Sequence, residues 1–281
     1  MYNPFNIISS FRLSFLPPLM IYLAAGVSGL TNIVGLFFVK EYLDLSAAFL
    51  AGLGFWAGLP WVLKMPLGHI VDLIWKFKSI LVFFGAFIMA ISSLIMYFLI
   101  AHKSEMIAIL NAETWFIIST LLAPIGFVLQ DVVADALTVE AIPKTDEQGN
   151  EIDFKTLKSL NIVMQLLGRV SIISGTLLVS LVNLVVFSDS SEMSENEKII
   201  TYGKIYLYSL IVPAISVIGV LFSYINSKSR LNELIKNGLA FEKAHNLIYP
   251  ITKITKPNPS IIIGSIPVSY THLTLPTNDQ V

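Results

Sequence analysis

The sequence predicts an all-α integral membrane protein with six transmembrane helices. Of its 281 residues, 55% are hydrophobic and only 13% are charged, where a soluble domain is ordinarily about a quarter charged. Its mean hydropathy is +0.74. The apolar residues gather into six runs, at about 17–39, 47–65, 80–101, 115–137, 160–187 and 206–226. These runs are near the ~20 residues a helix needs to cross the hydrocarbon core.

The same composition excludes several classes of function. A net charge of −1 gives no bulk electrostatic attraction to nucleic acid. With no cysteine there is no disulfide, no thiolate nucleophile and no Cys-ligated metal site. His69, His102, His245 and His272 have no metal-ligand spacing, so neither a metal nor a cofactor is expected. Arg12 precedes the first run, but that run is too long for a signal h-region and lacks a small-residue cleavage site. It reads as a retained first helix.

Pro17 and Pro18 suit the first turn of the first span, where a missing N–H costs nothing. Gly26, Gly29 and Gly35 permit close helix contact, and Asn32 is a candidate for a cavity face or an interhelical hydrogen bond. The second span carries a Gly54-x-x-x-Gly58 pair, read as packing only. Pro60 and Pro66 bracket Trp61 and Lys64 at its end, so the helix is expected to bend or stop there. A basic link with His69, Asp72, Lys76 and Lys78 leads into the third span. The fourth ends in Gln130-Asp131-Val-Val-Ala-Asp135-Ala-Leu-Thr-Val-Glu140. A polar segment, 141–158, precedes the fifth span, which contains Arg169. An acidic loop at 188–199 separates it from the sixth, and residues 227–258 are polar and basic with an amphipathic patch near 231–239.

Six spans put both ends on one side, and Lys and Arg decide which. One side receives Arg12, Lys76, Lys78, Lys144, Lys155, Lys158 and the basic segment after the sixth span. The other receives Lys40, Lys103, Lys198 and Lys204. The first side is expected to be cytoplasmic and the membrane to be the inner (plasma) membrane.

Asp131 and Asp135 carry the chemistry. Four residues apart on a helix, they share one face about a turn apart. Ionised carboxylates inside a membrane must be paired, hydrated or protonated. Asp131 lies deeper, about 24 Å along the helix from Trp115, and Asp135 about 30 Å, nearer the edge. Arg169 is the expected partner, brought in by the antiparallel fifth span, and Lys64 is the second candidate. Gln130, Asn161 and Gln165 add polar groups at similar levels. A structural charge network across spans two, four and five is the plainer alternative to a binding or proton-coupling site.

The tail sequence at 268–277, Val-Ser-Tyr-Thr-His-Leu-Thr-Leu-Pro-Thr, resembles the in-frame translation of a transposase sequencing adapter. Residues 267–281 are therefore expected to be an artefact, with the true protein continuing past about Pro267. The domain reading is a bundle over 1–226, the start of a basic cytoplasmic loop over 227–266, and this tail.

Gly58-Leu-Pro60-Trp61-Val-Leu-Lys64-Met-Pro66-Leu-Gly68, with Asp72 beyond, resembles the Pro-Trp-x-x-Lys-Pro-x-x-Gly-x-x-x-Asp pattern of folate–biopterin transporters. These are a branch of the major facilitator superfamily. Met65 separates Lys64 from Pro66 by one residue more than the pattern has. Gly68-x-x-x-Asp72 with Lys76 and Lys78 is similar to the superfamily's gating loop between helices two and three, though its Gly-Arg pair is absent. The 130–140 stretch resembles the family's Asp-x-x-x-Asp-x-x-x-x-Glu segment, and also muropeptide permeases and acetyl-CoA transporters of the superfamily.

The resemblance covers about 17–226. It implies the N-terminal six-helix half of a twelve-helix transporter, with alternating access and a midplane site shared with the other half. It also implies a small organic anion such as a folate or pterin as solute, protons as the coupling ion, Asp72 as a loop latch, and a direct role for Arg169 or Lys64. No enzyme is expected. An intramembrane aspartyl protease needs carboxylates converging from separate helices, and these two share one. A membrane protein that binds solute without moving it remains the other rival.

Overall fold

The protein is described here by a computed structural model covering residues 11–38, 46–74, 77–142, 152–188, 192–236, 238 and 241. Among these residues every regular element is helical. After a 3-10 turn at Leu13–Phe15 come α1 (Leu16–Val27) and α2 (Asn32–Phe38), joined by a second 3-10 turn. Then follow α3 (Ala47–Val62), α4 (Lys64–Leu73), α5 (Lys78–Ala101), α6 (Lys103–Ile109), α7 (Ala112–Ala141), α8 (Phe154–Val186), α9 (Glu195–Tyr208) and α10 (Ile211–Lys236). Among the described residues all of them but α2 and α6 fall into six spans long and apolar enough to cross a membrane, and the chain is a multi-pass α-helical membrane protein.

Three spans are broken, the second of them between Pro60 and Pro66, where a bend or stop was expected. In the first, the Ser28 hydroxyl donates to the Ala25 carbonyl at 2.6 Å, and the helix tightens into 3-10 geometry over Ser28–Thr31. The second breaks at Leu63, whose N–H reaches back to the Leu59 and Pro60 carbonyls. Pro60 has no N–H to give and crowds the preceding turn. Pro66 falls in the first turn of α4, where its missing donor costs little. Lys64 therefore opens a new helix in mid-span. In the sixth, the break at Ser209–Leu210 precedes Pro213, and α9 begins with a reciprocal Ser194–Glu197 capping box, well before the expected 206.

The basic link is also helical: Gly68 and Asp72 belong to α4, so Asp72 caps no loop helix. Trp75, Lys76 and residues 143–151 lie outside the described residues. So does nearly all of the expected loop and tail beyond 236, while α10 carries helix ten residues past the expected end at 226.

α7 is the hub, packing on α5, α1, α3 and α4. Its antiparallel contact with α5 is built from small and polar residues. Ser92 and Ser119 exchange hydroxyl-to-carbonyl hydrogen bonds at 2.8 and 3.0 Å. A Cβ on Gly126 would sit 2.6 Å from the Gly85 carbonyl oxygen and 2.6 Å from Met89 Cγ. Gln130 Nε2 donates to the Val82 carbonyl at 3.2 Å, and the Lys78–Glu140 ion pair closes the end at 2.9 Å. In a membrane, where lipid competes equally for apolar side chains, such close approach and hydrogen bonding hold helices together. α1 and α8 meet the same way: a Cβ on Gly175 would lie 2.6 Å from the Leu23 carbonyl oxygen.

The cover is uneven. In the second and fifth spans only 6% and 17% of the apolar window is buried, against 33% to 44% in the other four. These two spans flank the cavity described below. The Gly54-x-x-x-Gly58 pair was expected to be a packing motif, yet a Cβ placed on either glycine would have no atom of a described residue within 4 Å.

Gly126→Ala is expected to destabilise the bundle by about 1–3 kcal/mol, because the backbone of α5 cannot give way. Gly54→Ala is expected to be neutral or to stabilise by up to about 1 kcal/mol, through helix propensity alone. Thermal unfolding followed by circular dichroism in lipid nanodiscs separates the two; equal effects would contradict this packing.

Candidate functional site

The helix break at Leu63 and the carboxylates of α7 meet in one place. A cavity of about 940 Å³ lies between α1, the α3–α4 break, α7 and α8, with Tyr22, Lys64, Asp72, Asp131, Asp135 and Arg169 among its wall residues. Irregular backbone inside a membrane is tolerated where it lines a polar cavity, and here the break does so with Trp61 and Val62.

Lys64 is held by two carboxylates at once. Its Nζ lies 2.5 Å from Asp131 Oδ2 and 2.9 Å from Asp135 Oδ2. The single turn between the aspartates on α7 sets both at the reach of one ammonium. The other oxygen of Asp135, Oδ1, accepts a hydrogen bond from the Tyr22 hydroxyl at 2.7 Å. The side chains are only partly exposed, at 36% for Lys64, 18% for Asp131 and 38% for Asp135. One ammonium cannot neutralise two carboxylates, so the triad keeps a net charge of −1 when both aspartates are ionised. Unit charges 4 Å apart interact by about 4 kcal/mol at an effective dielectric near 20. The surplus has to be met by another cation or by a proton.

Arg169 is that other cation, yet it pairs with neither aspartate. It lines the cavity from α8 and is exposed there. No carboxylate of a described residue lies within 4.0 Å of it. Its charge reaches Asp131 and Tyr22 only across space. The expected Asp131–Arg169 pair is thus replaced by Asp131–Lys64. The physical reason is helix placement: α7 turns its face to α5, α1 and the α3–α4 rod, and touches α8 only slightly.

The remaining sequence candidates fall in different places. Gly68 and Asp72 line the cavity from α4. Gln130 is buried in the α5–α7 contact on Val82 and turns away from the cavity. Asn32 is exposed at the start of α2 and is not among the cavity wall residues. Lys78, expected in a gating loop, is instead the buried first residue of α5, held by Glu140. Lys76 lies outside the described residues. Tyr22 is the site residue that sequence reasoning missed. Its signal was a phenol in an otherwise apolar first span, since a buried tyrosine hydroxyl generally finds a partner.

No family model, no curated protein and no solved structure matches this chain. The fold and the site define it as a multi-pass helical membrane protein with a charged cavity in its bundle.

Lys64→Met is expected to destabilise the protein by about 1–3 kcal/mol, less than for a fully buried pair because all three groups keep some solvent contact. Adding Asp131→Asn should restore part of that loss, giving non-additive effects. Arg169→Ala, which breaks no ion pair, is expected to stay within about 0.5 kcal/mol. Thermal denaturation in nanodiscs of the parent protein, Lys64→Met, Asp131→Asn and the double variant measures the cycle, with Arg169→Ala beside it; additive losses would contradict a shared ammonium.

Proposed function

We propose that the chain is the N-terminal six-helix half of a secondary transporter of the major facilitator type, moving a small organic anion such as a folate or pterin together with protons. In this reading it sits in the inner (plasma) membrane with both ends of the chain cytoplasmic, as the Lys and Arg distribution predicts. The observation that carries the reading is the cavity itself: two carboxylates sharing one lysine, with Arg169 unpaired among the described residues beside them. Intramembrane ionisable groups of this kind are costly, and they commonly mark a solute or ion pathway.

The charge balance supplies a mechanism. With both aspartates ionised, Lys64 is held between them, and among the described cavity residues Arg169 is the cation left to receive an anion. Protonation of one aspartate releases a donor of Lys64 toward the cavity. An anion then meets two cations, and the carboxyl proton enters with it. A solute carboxylate on a guanidinium forms the stronger, charge-assisted type of hydrogen bond. The poorly covered faces of the second and fifth spans border the cavity, and the second six-helix half would close it there. The resemblance of 58–72 and 130–140 to transporter segments points the same way.

Vesicles carrying the complete gene product should accumulate a radiolabelled folate or pterin when an inward proton gradient is imposed. Asp131→Asn should abolish gradient-driven accumulation while membrane insertion stays normal. Arg169→Ala should weaken solute binding about 10- to 100-fold, the worth of one hydrogen bond to a charged group. Binding without accumulation, with or without the gradient, would overturn the transport reading and leave a receptor.

A further inference from the structure

We propose that Tyr22 is a positioning residue that joins the two walls of the cavity: its hydroxyl responds to the protonation state of Asp135 on α7, and its ring sets the place of Arg169 on α8. As a coupling device this rests on the carrier reading; as a mechanical link it stands on geometry alone.

Three contacts carry it. The Tyr22 hydroxyl donates to Asp135 Oδ1 at 2.7 Å, on the oxygen that Lys64 leaves free. The ring lies flush on Gly168, where a Cβ would come within 3.0 Å of Cε2 and 3.1 Å of Cδ2. Gly168 immediately precedes Arg169. Beyond this point α1 and α8 are pinned backbone to backbone, since a Cβ on Gly175 would lie 2.8 Å from Gly26 Cα. The two helices meet backbone to backbone there, whereas at the cavity end they meet through a side chain, on the Tyr22–Gly168 contact.

A phenol suits the task chemically. Toward a carboxylate its hydroxyl donates, and toward a carboxylic acid it can also accept. When Asp135 takes up a proton from cavity water, the new O–H bond forms on a carboxylate oxygen and tyrosine keeps its own proton. The Oδ1 contact must then invert or break. Either change moves the phenol oxygen and rotates the ring over a surface that has no side chain to absorb the motion. Tyr22 from α1 and Lys64 from α4 contact Asp135, and the other titratable and charged groups of the same cavity are Asp131 on its own helix, Asp72 from α4 and Arg169 from α8. His69 of α4 lies within electrostatic reach of Asp72. From α5, Lys78 is held by Glu140. Tyr22 is the group among them that touches both α7 and α8.

The absence of native cysteine makes the link measurable, because two introduced cysteines are the only labelling sites. Spin labels at Phe87→Cys on α5 and Leu166→Cys on α8, both exposed, report the position of the cavity end of α8. The full chain is studied in nanodiscs by pulsed electron paramagnetic resonance at acid and neutral pH. The unsubstituted background should show a label–label distance that shifts with pH. Asp135→Asn should hold one distance at both pH values, and Tyr22→Phe should lose the shift while keeping the ring on Gly168. Gly168→Ala keeps the hydroxyl but displaces the ring, and should reduce the shift; it carries the same test if Tyr22→Phe fails to insert. A pH-dependent shift that survives Tyr22→Phe, or no shift in the background protein, would overturn the proposal. Neither outcome depends on uptake, so the carrier reading fails or stands on the vesicle experiment alone.

Discussion

One lysine ammonium shared by two carboxylates inside a membrane protein is the constraint around which this chain is arranged. Lys64 reaches Asp131 and Asp135 together because three conditions hold at once. The aspartates are spaced by one helical turn. The second span is interrupted at Leu63 by the proline-flanked segment, which sets Lys64 at the head of a new helix facing inward. Tyr22 occupies the oxygen of Asp135 that the lysine does not use. Remove any one and a charge or a strong donor is left unmet in a place where unmet polar groups are costly. The residual negative charge is a property of the arrangement and cannot be packed away. It makes the charge state of the cavity conditional on what else enters it.

The rest of the bundle divides into a rigid part and an open part. α5, α7, α1 and α8 are held at glycine contacts so close that a methyl group would overlap backbone, and by the Ser92–Ser119 exchange and the Gln130–Val82 bond. Interfaces of this kind are stiff, because backbone meets backbone with no side chain to yield. The second and fifth spans, in contrast, bury little of their surface. The charged cavity lies where the stiff and the open parts meet, so a change of charge there acts on helices that are anchored at one place and uncovered at another. This is the physical setting in which the proposed coupling through Tyr22 operates.

Much of the architecture was legible because hydropathy integrates over twenty residues and tolerates local error. All six spans are present near their expected places. The boundaries were less legible. Polar starts such as Asp153 and Ser194 nucleate helix by capping, and helix then extends well outside the apolar run. The break at Ser28–Thr31 turns on a single side chain, whereas the one at Leu63 was announced by Pro60 and Pro66. Of the site, Asp131, Asp135, Lys64 and Arg169 could be named because charge within an apolar run stands out. Their pairing was legible in part: Lys64 stood as the second candidate, but chain order put α8 first where packing chose the α3–α4 rod. Gln130 was drawn into the site by adjacency to Asp131, yet it lies on a different face and serves the α5 contact. Tyr22 was lost among apolar neighbours because an aromatic in a membrane span usually only packs.

Binding of a single ammonium by both carboxylates is open to direct measurement. Solid-state NMR on protein labelled with ¹⁵N at lysine Nζ and ¹³C at aspartate Cγ, reconstituted in lipid, detects dipolar contact between those nuclei at hydrogen-bonding range. Asp131→Asn and Asp135→Asn samples assign the two signals. Lys64 should couple to the Cγ of both aspartates in the same sample. A Lys64 signal coupled to only one of them, or to neither, would contradict the shared ammonium.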